Sequence, residues 1–296
     1  MLDTYLSIVI AYCNDIGTIY FVDYGGGTPS WSNKFYFSPG FDFVALLSLL
    51  WKSYNGRIHI EMAQEQWRLI TKYSTIAEST NPIFGQATER LNKLVDKHFQ
   101  YKRDNVQRTY LFVGEPGSGK STMAIRMSEL IGTRTLQIDS TAMSNIGQQE
   151  MTFLIENLKP DFIIFDDLDK VNLEKGLPTV LLILSRMKAH PDVGVIITAN
   201  DASKLNAAIL RPERIDEVEL FDQSDEDNEL VFRGYLGFFG INPTEDVISI
   251  VLRESKNYSA VWMRELALRL KYESVGSAIN SMNRLRDVAN PPAKTP

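Results

Sequence analysis

YLFVGEPGSGKSTMAIRMSEL, residues 110–130, decides how the rest of the chain is read. It opens on an apolar run bounded by glycine, the pattern of a strand buried on both faces. It closes on apolar residues at helical spacing, beginning at Lys120. Between them, Gly114-Glu-Pro-Gly-Ser-Gly-Lys-Ser121 matches the spacing GxxxxGK[ST] in full. Glycines let the backbone curl so that successive N–H groups face inward and cradle phosphate oxygens. The helix N-terminus adds partial positive charge. In this reading Lys120 bridges the β- and γ-phosphates of ATP, and the Ser121 hydroxyl ligates Mg²⁺. Glu115, Pro116, Gly117, Ser118, Gly119 and Thr122 complete the nucleotide-binding loop. A strand-to-helix turn that was merely glycine-rich would need neither the lysine nor the serine.

A second apolar strand, DFIIFDDLDK (161–170), ends on adjacent acids. Burying two neighbouring carboxylates is costly unless a cation or water organises them. Asp166 is therefore the expected Mg²⁺ partner, placed beside the phosphate loop if the two strands are neighbours. Asp167 is the expected general base that polarises an attacking water. The competing reading has these acids capping the loop that follows.

Outward from these motifs, short apolar runs alternate with helical stretches: TRTLQID, GQQEMTFLIENL, DFIIFDD, LPTVLLILSRMKA and VGVIITAN. Such alternation predicts an α/β fold, a parallel sheet with helices on both faces. After residue 221 the pattern turns wholly helical, predicting a C-terminal helical lid over 222–289 and a disordered tail over 290–296. Residues 1–78 mix alternating aromatic segments (GTIYFVDY, NKFYFS, RIHIEMA) with one apolar helix candidate at 41–53. They predict a small N-terminal α+β domain that binds a client or partner, hinged at AESTNP (77–82) to a nucleotide-binding domain over 79–221.

From about residue 79 to 289 the chain resembles an AAA ATPase, which implies a P-loop NTPase sheet and ATP hydrolysis with Mg²⁺. NPIFGQATERL resembles the segment that packs on adenine, with Phe84 and Gly85 as contacts. VIITAND resembles the sensor 1 strand and puts Asn200 where an amide orients the lytic water. LNAAILRPERID resembles the second region of homology, whose two arginines, here Arg211 and Arg214, complete the neighbouring subunit's site. A ring of identical subunits, hexamer or heptamer, follows from that role. The competing reading pairs these arginines with Glu213, Asp216 or Glu217 on the surface. YSAVWMREL resembles the sensor 2 region, with Arg264 reaching the β- and γ-phosphates; a solvated arginine on an amphipathic helix is the alternative.

Within the family, YKRDNVQRTYLFVGEPGSGKST and LPTVLLILSRMKAHPDVGVIITANDASKLNAAILRPERID resemble the branch of the mitochondrial Rieske-protein translocase, without its membrane helix. Three positions depart from the wider pattern. Glu213 replaces a glycine between the arginines, Asp167 replaces a longer glutamate, and Asn145-Ile146-Gly147 stands where an aromatic pore motif falls. The resemblance implies remodelling or translocation of a macromolecular client, a protein. A nucleic-acid accessory ATPase, such as a helicase or clamp loader, and an ATP-gated assembly switch with little turnover are the alternatives.

Bulk composition narrows these choices. A net charge of −6 argues against a broad nucleic-acid footprint. Cys13 is the only cysteine, so an internal disulfide is impossible, and His59, His98 and His190 stand too far apart in sequence to suggest a metal cluster. The apolar run FDFVALLSLLW (41–51) falls short of the roughly 20 residues a membrane span requires. MLDTYLSIVIAYC carries an acid where a secretory signal carries a base. These features predict a cytoplasmic protein with no membrane partner.

Overall fold

The apolar runs YLFV (110–113), FIIF (162–165) and GVIITA (194–199) become three adjacent strands of one sheet. The computed structural model describes residues 5–13, 17–25, 34–37, 57–63, 66–70, 82–131, 134–222, 225–256 and 258–289. The helix expected at 41–53 and most of the expected hinge lie outside the described residues. The chain divides into two units, 1–56 and 57–296.

The first unit contains an antiparallel meander in the order β1-β2-β3, formed by Tyr5–Cys13, Gly17–Gly25 and Lys34–Phe37. Its register runs from Tyr5 opposite Gly25 to Cys13 opposite Gly17.

The second unit is built on β4 (Arg57–Ala63), β5 (Gln66–Ile70), β6 (Thr109–Val113), β7 (Thr135–Asp139), β8 (Phe162–Asp166), β9 (Gly194–Ala199) and β10 (Glu217–Leu220). Their order is β10-β6-β9-β8-β7-β4-β5; the first five run parallel, β4 joins them parallel, and β5 closes the edge antiparallel. Residues 57–63 and 66–70 therefore belong to the seven-stranded sheet, and the boundary falls at 56/57 where the sequence suggested 78/79. Alternation identified RIHIEMA as a strand, but alternation carries no information about which strand it pairs with.

The helices are α1 (Gln86–Arg103), α2 (Lys120–Ile131), α3 (Ser140–Asn145), α4 (Gln148–Leu158) and α5 (Leu173–Met187), followed by α6 (Asp225–Phe239), α7 (Glu245–Glu254), α8 (Ala260–Arg269) and α9 (Val275–Ala289). Helix α5 begins four residues before the expected Leu177, because the Asn172 side chain accepts the N–H groups of Glu174 and Lys175 and caps it. Helix α3 was not foreseen; the Asp139 carboxylate caps it through Ala142 N–H at 2.6 Å. This capping places Ile146 at the α3 end, buried at 2 % exposure, with its carbonyl accepting from Thr179 Oγ1. The middle residue of the Asn145-Ile146-Gly147 stretch is thus part of the core. The four lid helices pack around Phe232, Val251, Met263, Leu266 and Met282.

Leu91, Leu94 and His98 share the buried face of α1, so a histidine occupies a position the pattern reserves for an apolar side chain. Its ring lies 5.1 Å from Phe162 and 5.9 Å from Tyr110, with Nδ1 3.2 Å from the Tyr110 hydroxyl and Nε2 buried without a partner. Burial, helped by nearby Lys102, pushes its pKa down to about 4. An unfolded chain protonates this residue near 6.5. Between those values the unfolded state holds the extra proton, so stability is complete above about pH 6.5 and declines as the pH falls towards 4. The full loss is about 3 kcal/mol. Urea titrations at pH 7 and 4.5 should show a shallower acid decline for His98→Phe than for the wild type. Equal declines would place the acid lability elsewhere.

Candidate functional site

The phosphate loop joins β6 to α2. Gly117 (φ 81°) and Gly119 (φ 97°) adopt the left-handed conformation that side chains disfavour, which turns the loop back on itself. Lys120, first residue of α2, is 4 % exposed, and its Nζ donates to Gly114 O (2.7 Å), Glu115 O (2.8 Å) and Asn200 Oδ1 (3.1 Å). Burial pushes its pKa down, while the carboxylates of Asp167, Asp169 and Asp166 oppose that shift. A buried ammonium held only by neutral oxygens is poised to exchange them for an anion, since charge-assisted hydrogen bonds are roughly twice as strong. Glu115 and Pro116 are exposed, while Ser118, Gly119 and Thr122 line a cavity.

The strands carrying the two motifs are not neighbours: β9 lies between β6 and β8. The Ser121 hydroxyl nevertheless donates to Asp166 Oδ1 at 2.8 Å. The intervening strand supplies Thr198, fully buried, whose hydroxyl donates to Asp166 Oδ1 (2.6 Å) and accepts from the Asp167 N–H (2.9 Å). Gln137 on β7 donates to Asp166 Oδ2 at 3.2 Å. Sequence reasoning missed both residues; the signal available was a polar side chain in the otherwise apolar β9, whereas Gln137 is one of three polar residues in β7.

Asp167 has φ 53° and ψ 48°, a left-handed conformation that costs a non-glycine residue on the order of 1–3 kcal/mol. Its Oδ1 accepts from the Asn200 amide at 3.2 Å, and its Oδ2 pairs with Lys170 at 2.6 Å. Lys120, Ser121, Asp166, Asp167 and Asn200 are thus brought into one hydrogen-bonded cluster, joined through Thr198. Its oxygens suit Mg²⁺, which takes one or two protein ligands and fills its remaining positions with water and phosphate. Among the described residues there is no group of three or more His, Cys, Asp or Glu able to cage a metal ion.

Beside the loop, Phe84, Ala87, Met123, Val231 and Tyr235 form the apolar side of a cavity that Arg90, Asp222, Asp227 and Thr122 also line and that is open to the phosphate-loop residues Ser118 and Gly119. Phe84 meets Tyr235 edge to face, with ring centroids 5.0 Å apart. Glycine at position 234 is required for this approach, because a Cβ there would lie 2.3 Å from the Phe84 ring. Gly85 is not among the lining residues. Its φ of 64° turns the chain into α1, where Asp227 Oδ1 accepts the Gln86 N–H at 3.2 Å. The contact expected of Gly85 thus becomes a turning role.

Arg264 lies over the Phe239 ring, 5.9 Å from its centroid. The lid instead hydrogen-bonds to the phosphate loop through Val261, whose N–H donates to Gly117 O at 3.3 Å. Arg211 is exposed, and among the described residues it has no side-chain hydrogen bond or ion pair. Arg214 donates to the Ala208 carbonyl within its own loop. Asp216 is engaged by Lys188, Arg108 and the Thr109 N–H, and Glu217 by Lys97 and Tyr101. Among the described residues neither arginine forms an ion pair with Glu213, Asp216 or Glu217, and neither hydrogen-bonds to the Lys120–Asp167 cluster.

Residues 110–223 match the ATPase family associated with various cellular activities (AAA). Over 162 residues the chain is 26 % identical to the ATP-dependent zinc metalloprotease FtsH of Pelobacter propionicus, covering 46 % of this chain and 26 % of that protein. The chain thus spans about a quarter of the length of that relative. Its fold is similar to that of C. elegans PCH-2, with a TM-score of 0.51 and 16 % identity over 68 % of this chain and 70 % of the other. Among the described residues no helix is long and apolar enough to cross a membrane. The segment that matches this family begins in β6, contains the phosphate loop and both acids, and ends just past β10.

Proposed function

We propose that this chain hydrolyses ATP with Mg²⁺ in a ring of identical subunits, a hexamer or heptamer, and uses the cycle to remodel or translocate a macromolecular client, a protein. The observation that carries the reading is the Asn200 side chain, which accepts from Lys120 and donates to Asp167. It links the group that holds the γ-phosphate to the group that accepts the proton. Lys120 exchanges the loop carbonyls for phosphate oxygens. Asp167 takes a proton from water as the water oxygen bonds to phosphorus and the β–γ bridging bond breaks. Asn200 orients that water. Ser121 and Asp166 would hold Mg²⁺, which would supply charge neutralisation on the phosphates. Similarity to an ATP-dependent protease supports a protein client.

Phosphate release and mass distribution should be measured together, with and without Mg-ATP. The expected result is release that depends on both metal and assembly, stimulated by protein clients. Hydrolysis stimulated by DNA and indifferent to protein would overturn the client assignment. Full-rate hydrolysis by a strict monomer would overturn the ring.

A further inference from the structure

Next to the cavity lined by Phe84 and Tyr235, and joined to it through Ser118, Phe221 and Asp222, lies a second cleft between the phosphate loop and the lid. Two of its lining residues each carry a polar atom that is buried without a hydrogen-bond partner: Asn228 (Oδ1), a residue 4 % exposed that also borders a separate cavity beside Ser255, and Ser259 (Oγ). Such atoms are costly to leave unpaired and are rare in native structures. Ser259 is the N-cap residue of α8 by its backbone (φ −72°, ψ 166°), yet its hydroxyl makes no capping bond. Serine at that position ordinarily turns its oxygen onto the helix N–H groups. Here the oxygen lies beside Gly117, 2.8 Å from where a Cβ on that glycine would stand.

We propose that Asn228 and Ser259 read the ribose hydroxyls of the nucleotide and make the site select ribonucleotides over deoxyribonucleotides. The inference rests on the nucleotide reading above. The phosphates belong on the Gly117–Thr122 loop and the base belongs against Phe84 and Tyr235. The sugar connects the two, and Ser118 borders both cavities. Asn228 Oδ1 is purely an acceptor and needs a donor; a serine hydroxyl both donates and accepts. A pair of vicinal hydroxyls meets both needs. The exposed acids Glu115 and Asp222 at the cleft disfavour a second phosphate and leave a neutral, hydroxylated group as the fitting occupant.

Binding and turnover of ATP, 2′-deoxy-ATP and 3′-deoxy-ATP should be compared on the full chain, as wild type, Asn228→Leu and Ser259→Ala. The wild type should bind ATP about tenfold or more tightly than at least one deoxy analogue, because a site built to bond a hydroxyl rejects ligands that lack it. Each variant should shrink that ratio mainly by weakening ATP, leaving the deoxy analogue unchanged. Ser259→Ala deletes a single atom and tests the idea even if Asn228→Leu fails to fold. ATP binding without discrimination in the wild type, or discrimination untouched by both variants, overturns this proposal alone. A wild type that binds no ATP overturns the nucleotide reading, and this one with it.

Discussion

Asp167→Asn should still bind ATP while its steady-state phosphate release falls by a factor of roughly 10²–10⁴, the usual contribution of a positioned general base. Asparagine keeps the shape and, like aspartate, tolerates the left-handed φ of 53° found at this position. It can also still accept the Asn200 amide proton. What is removed is the basic oxygen and the ion pair with Lys170, whose side chain is 58 % exposed. An exposed pair of this kind contributes between about 0 and 1 kcal/mol, so the fold should be spared. Single-turnover phosphate release against a nucleotide-binding isotherm separates the two effects. Unaltered turnover would remove Asp167 from the chemistry; lost binding would make its role structural. The backbone also accounts for the departure from glutamate at this position. A longer acid would have to adopt the same left-handed φ, which aspartate and asparagine populate several-fold more readily than most residues.

The two chemical motifs were legible because each depends on local sequence. A glycine-rich turn that must approach phosphate, and acids at the end of an apolar strand, are visible without knowing which strands pair. Strand order is a different kind of information. Nothing in FIIFD or VIITA shows that β9 separates β8 from β6, so Thr198 could not be recognised as the residue that bonds both Asp166 and Asp167. The same holds for RIHIEMA, whose place beside β7 is settled by pairing. In α5, Pro178 beside Leu177 resembles a helix start, and the true cap, Asn172, precedes it by several residues. The resemblance of YSAVWMREL to a sensor 2 region points to Arg264, which lies over the Phe239 ring, while the hydrogen bond from the lid to the phosphate loop comes from the Val261 N–H, a backbone donor that no side-chain pattern announces.

Arg211→Ala should lower turnover by roughly 10³–10⁵ without weakening ATP binding, the range in which arginine fingers act. Arg214 should behave differently, because its guanidinium holds the Ala208 carbonyl and fixes the loop's shape. Arg211 is exposed, while Asp216 and Glu217, two acids that could neutralise it within its own chain, are engaged by Lys188, Arg108, Lys97 and Tyr101. A permanent cation left available on the surface suits a planar guanidinium meant for the next subunit's γ-phosphate. Action in trans has a quantitative signature. Lys120→Ala subunits have a dead site and an intact finger; Arg211→Ala subunits have the reverse. In an equal mixture that assembles at random, about a quarter of interfaces pair a working site with a working finger, so about a quarter of wild-type activity should return from two inactive parents. The mixed assemblies must first be demonstrated by differential mass tags. If they form and activity stays at the parental level, Arg211 does not act across the interface.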